Sequence, residues 1–80
     1  MFIEINHAEY NMYSISSFRK FDRKLENGDG NYTDAFYIIY TISNAGWEIE
    51  EKFSSETERN NKYNWLIEKF GLSQDSIEEE

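Results

Sequence analysis

An α+β fold, a four-stranded antiparallel meander followed by one C-terminal helix packed on one sheet face, is predicted for this chain of 80 residues. Three observations predict it. Four stretches carry strand-like apolar patterning. The segments between them are short and rich in turn residues, as hairpins require. A single helical stretch with start and stop signals comes last.

The first strand is read at Phe2 to Asn6, which is short, apolar and β-branched. A polar break at Asn6-His7-Ala8-Glu9 follows. Tyr10 to Phe21 then alternates loosely, with Tyr13, Ile15 and Phe21 on one parity and Met12, Phe18 and Lys20 on the other. This predicts a half-buried second strand. Asp22 to Asn31 is charged and contains Asn27-Gly28 and Asp29-Gly30, so it is read as the loop to the third strand. That strand, Ala35 to Ile42, is continuously apolar, as expected when both of its faces are covered. Asn44-Ala45-Gly46 is a compact turn. In the fourth strand Trp47, Ile49 and Phe53 share one parity, interrupted by Glu51, while Glu48, Glu50, Lys52 and Ser54 share the other. Trp47 beside Phe53 is expected in the core.

Ser55 with Glu58 forms a capping-box pattern that opens the helix. Tyr63, Leu66, Ile67 and Phe70 recur at helical spacing and predict its buried stripe. Gly71 suits the left-handed residue that ends it, with Leu72 folding back onto Ile67. The domain is therefore read as residues 1–72, with 73–80 an acidic tail. One helix covers one sheet face only, so the other is either covered by the N-terminal hairpin or is an interface.

Composition narrows function. The chain has no Cys and no Pro, which excludes disulfides, Cys-ligated zinc, iron–sulfur clusters and thiol nucleophiles. Lys and Arg number 8 against 16 Asp and Glu, for a net charge of -8. That balance argues against direct nucleic-acid binding and against anionic membranes, where basic charge supplies the affinity. His7 is the single histidine and is read as a surface loop residue. No metal-ligand spacing, phosphate-binding glycine loop or nucleophile–base pair is present, so neither enzyme activity nor a cofactor is expected. The start has no basic region followed by a long apolar run, which predicts a cytoplasmic protein, in the host cell if phage-encoded.

Most of the net charge lies from Trp47 onward. Glu48 and Glu50 fall on one strand face, Glu56 and Glu58 open the helix, and Trp65 lies off the centre of the buried stripe. These five are the candidate partner-binding residues: an anionic surface with an aromatic anchor. A solvated face that keeps the chain soluble is the competing reading of the acids. Arg19, Lys20, Arg23 and Lys24, interleaved with Phe18 and Phe21, hold half of the basic residues. They are read as an internal partner for the acidic face or as the rim of a protein interface.

In small size, acidity, absence of Cys and sheet-plus-helix order, the chain resembles small acidic phage-encoded anti-defence proteins of the anti-CRISPR type. The resemblance is one of class and rests on no diagnostic motif. It implies a non-enzymatic inhibitor that blocks a nucleic-acid-binding or nuclease effector through carboxylates set where phosphates would lie. The basic cluster departs from a uniformly acidic decoy. The second reading is a small homodimeric structural or regulatory module, joined through the second sheet face or an exposed strand edge.

Overall fold

The computed structural model describes residues 1–43 and 46–71. It contains strands β1 (Phe2–Ile5) and β2 (Ala8–Asn11), a 3-10 turn (Met12–Ser14), strands β3 (Ile15–Glu26), β4 (Tyr32–Ile42) and β5 (Trp47–Phe53), and helix α1 (Glu56–Lys69). The four-stranded meander is corrected. β1 and β2 pair as a separate two-stranded sheet, and β3-β4-β5 form a three-stranded antiparallel meander. The tail at 73–80 and the expected Leu72 contact lie outside the described residues.

The correction has a local cause in each case. Asn6 and His7 both have positive φ, 55° and 70°, and Ile5 faces Ala8 across them. Two central residues with positive φ make the two-residue turn that right-handed strand twist favours. The polar break is thus the turn of a tight hairpin. The expected second strand, Tyr10 to Phe21, divides at the 3-10 turn, where the Asn11 side chain accepts from the Tyr13 N–H. β3 then runs five residues past Phe21, through what reads as loop. There the strand is held by pairs such as Lys24–Asp34 and Asn27–Thr33, not by apolar alternation.

The Ser55 hydroxyl accepts from the Glu58 N–H, as the capping pattern predicts, and Gly71 takes φ +72° after the last turn. α1 lies on the face of the meander that bears Phe18, Ile38, Tyr40 and Ile49. Ile3 and Ile5 of β1 join the same core as Leu66 and Ile67. The hairpin and the helix therefore share one face, and the hairpin does not cover the other. No described helix is long and apolar enough to cross a membrane.

Two cations of α1 tie these parts together. Lys62 Nζ donates to the Glu4 carbonyl at 2.6 Å and to Glu51 Oε2 at 3.0 Å, while the buried Tyr40 hydroxyl donates to Glu51 Oε1 at 2.6 Å. This explains why Glu51 interrupts the apolar parity of β5: it is the inward acceptor for a lysine and a tyrosine. Arg59, 3% exposed, donates to Asp22 Oδ1 at 2.7 Å and to the Tyr37 carbonyl at 3.3 Å, with its guanidinium 5.5 Å from the Phe36 ring centre. No buried side-chain nitrogen or oxygen among the described residues lacks a partner.

Glu51→Ala takes away the Tyr40 acceptor and leaves Lys62 the Glu4 carbonyl without its counter-charge, which should cost about 2–4 kcal/mol in urea unfolding. Burial raises the Tyr40 pKa far above the usual tyrosine value, and the hydrogen bond to Glu51 and its charge add to the effect. The unfolded chain alone then releases this proton, so stability is complete below about pH 10 and falls as pH rises beyond it. Tyr40→Phe should flatten that alkaline loss in pH-dependent melting curves.

Candidate binding surface

Side chains alternate along each strand, so the register assigns every residue of the meander to a face. On the face opposite α1 lie Ser17, Arg19, Phe21, Arg23 and Leu25 of β3. With them lie Ala35, Tyr37, Ile39 and Thr41 of β4 and Glu48, Glu50 and Lys52 of β5. The core shared by α1 and the β1–β2 hairpin includes no residue of this face. Ala35, Tyr37 and Ile39 are nonetheless buried.

Their cover comes from β3 and β5. Both arginines reach diagonally across β4: Arg19 Nη2 approaches Glu48 Oε2 at 3.5 Å, and Arg23 Nη2 approaches Glu50 Oε2 at 3.3 Å. The Arg23 guanidinium lies 4.8 Å from the Tyr37 ring centre and 5.1 Å from that of Phe21, and Arg19 lies 5.7 Å from the Phe21 centre. The Arg23 guanidinium thus lies over the Tyr37 ring of the central strand, and the carboxylates hold the ends of both arginines. Long charged side chains cover apolar surface in this way while keeping the head group wet.

The five sequence-predicted site residues do not form one surface. Glu48 and Glu50 stand on the open face, where Arg19, Arg23 and Lys52 outnumber them. Glu56 and Glu58 lie on the helix side of the sheet. Glu56 is 3.8 Å from Arg59, and Glu58 accepts from the Ser54 hydroxyl at 2.7 Å. Trp65, 39% exposed, is also on the helix, with Lys69 Nζ 5.6 Å from its ring centre. Trp47, expected in the core, is 49% exposed, because it stands at the end of β5 where the sheet stops.

Glu4 and Glu9 were not singled out in the sequence. They face each other directly across the β1–β2 hairpin, both exposed, with His7 Nδ1 3.8 Å from the Glu4 carboxylate and Lys62 Nζ on the Glu4 carbonyl. Like charges directly opposite are unfavourable. The hairpin register alone creates this pair, and it would have been legible had the Asn6-His7 turn been recognised.

Two small hollows flank the sheet, one of about 280 Å³ lined by Asp22, Arg23, Lys24, Asp34 and Phe36, the other of about 200 Å³ lined by Glu4, Asn6, His7, Glu51, Lys52 and Lys62. No group of three or more His, Asp or Glu able to hold a metal lies among the described residues. Comparisons of the chain with protein-family models, with curated proteins and with solved structures return no match.

The open-face ion pairs are half exposed, so each should contribute no more than about 1 kcal/mol. A double-mutant cycle of Arg19→Ala and Glu48→Ala should give a coupling below ~1 kcal/mol that shrinks further at ~1 M salt.

Proposed function

We propose that the protein is a non-enzymatic inhibitor that occupies a nucleic-acid-handling effector, with the open face of the β3-β4-β5 sheet as its contact surface. One observation carries this reading: both covering elements pack on the same side of the sheet. The opposite face is left to guanidiniums laid on aromatic rings and answered by carboxylates. Arg and Tyr are enriched among residues that dominate protein interfaces, and here their side chains are ordered before any partner arrives.

The effector class is supported by the net charge of -8, which steers the chain toward basic surfaces at long range, and by the class resemblance. At contact range the chemistry differs from a carboxylate-only decoy. Glu48 and Glu50 are already answered within the chain, so the face suits a partner patch of mixed sign. Any imitation of phosphate would be a property of the hairpin's Glu4 and Glu9, whose carboxylates pair with no lysine or arginine among the described residues, and not of this face.

Affinity capture with the tagged full chain, followed by mass spectrometry, tests the reading. Retention of a basic nucleic-acid-binding protein is expected. Its association rate should fall with salt, and capture should be lost in the folded double variant Arg19→Glu, Arg23→Glu but kept in Glu4→Gln, Glu9→Gln. Capture that survives the arginine reversals and fails with the glutamine pair would move the interface to the hairpin.

A further inference from the structure

We propose that β3 pairs with β3 of a second copy of this chain, antiparallel and with its two-fold axis at Arg23, so that two meanders become one continuous sheet. The proposal concerns the edge of the sheet and goes beyond the face reading above.

The meander has two edges, and they differ. On β5 the edge is engaged, since Asn6 Nδ2 donates to the outward Glu50 carbonyl at 2.9 Å. On β3 the edge is twelve residues long and contains no proline. Antiparallel pairing alternates inward and outward backbone groups. Asn27 N–H donates inward to the Asn31 carbonyl, and Arg59 Nη1 lies within reach of both the Phe21 and Tyr37 carbonyls. Odd-numbered residues of β3 beyond its bulge therefore face β4. The N–H and C=O groups of Lys20, Asp22, Lys24 and Glu26 point outward, and all four residues are exposed. β3 and β4 also extend past the end of β5, whose last residue, Phe53, pairs with Phe36.

An exposed edge of this length is a template for another strand unless its charges forbid it. The charges choose a register. A two-fold axis at Asp22 sets Lys20 against Lys24 and Asp22 against itself. One at Phe21 sets Arg19 against Arg23 and gives one kind of lysine–carboxylate pair, Lys20 with Asp22, where the next register gives two. One at Arg23 sets Lys20 against Glu26 and Asp22 against Lys24, each twice by symmetry, and Phe21 against Leu25 on the open face. These lysine–carboxylate positions are the ones whose backbone groups point outward, so the same register forms about eight backbone hydrogen bonds, two per hydrogen-bonded pair. Arg23 itself meets its symmetry mate, but its guanidinium is turned over β4 toward Glu50. Asp22 and Lys24 likewise have intrachain partners in Arg59 and Asp34, so the Lys20–Glu26 pairs carry the charge preference.

Light scattering on the eluting full chain, across a concentration series, tests this. A rise toward twice the monomer mass of 9.6 kDa is expected. Lys20→Glu and Glu26→Lys each turn two attractive pairs into repulsive ones and should weaken the dimer roughly tenfold or more. Mixed together, the two variants restore opposite charges at every such position and should associate as a heterodimer. Lys24→Pro removes an N–H that the monomer does not use in its ladder and should give a folded monomer by circular dichroism. In the wild type, amides of residues 20, 22, 24 and 26 should gain protection from hydrogen exchange as concentration rises. A wild-type chain that stays monomeric throughout, or a dimer indifferent to both charge reversals and to the proline, overturns the proposal.

Discussion

Lys62 is where the parts of this molecule meet. Its ammonium group bonds at once to the hairpin backbone at Glu4 and to Glu51 of β5, and Glu51 in turn accepts from Tyr40 at the centre of the sheet. Apolar stripes such as Tyr63, Leu66 and Ile67 tolerate small slides, because dispersion contacts are many and weakly directional. A shielded ammonium does not, since any slip strands a charge away from water. Arg59, one turn earlier, applies the same demand against Asp22 and the Tyr37 carbonyl. Helix, hairpin and sheet are thus aligned by polar geometry, and the hydrophobic core fills in around it.

Placing both covers on one face has a consequence for the other. The central strand is apolar on both parities, yet the core shared by α1 and the β1–β2 hairpin includes none of Ala35, Tyr37 and Ile39. Side chains of the flanking strands stand over this row instead: the Arg23 guanidinium of β3 lies over Tyr37, and glutamates of β5 meet Arg19 and Arg23. Charge and packing are therefore one device here, and removing a carboxylate loosens the roof over the ring of Tyr37. This also shows how a chain of net charge -8 presents a face on which cations outnumber anions.

Much of the architecture was legible. The continuous apolar run at Ala35 to Ile42 marked the central strand because a strand covered on both sides has no polar parity to spare. The Ser55–Glu58 box and Gly71 marked the helix because unsatisfied backbone groups at its ends demand those residues. Charge balance reads Arg19, Lys20, Arg23 and Lys24 as an internal partner for the acidic face or an interface rim; the two arginines meet Glu48 and Glu50, whereas Lys24 meets Asp34. The separation of the first hairpin was hidden, since Asn6-His7 lacks the glycine that usually announces a two-residue turn. The length of β3 was hidden too, because a ribbon beyond the helix is held by cross-strand polar pairs that leave no period in the sequence.

Local chemistry, then, determined which segments became strands and helix, where the helix starts and stops, and which chemistries a Cys-free acidic chain forgoes. Only the tertiary structure decided that the hairpin would join the helix on one face, that Glu51 would turn inward as an acceptor, and that the acids at 48 and 50 would stand apart from those at 56 and 58. The reason is physical. Caps, turns and periodicity act over a few residues, whereas the face on which a carboxylate ends up, and the cation it meets there, depend on pairings across the whole chain.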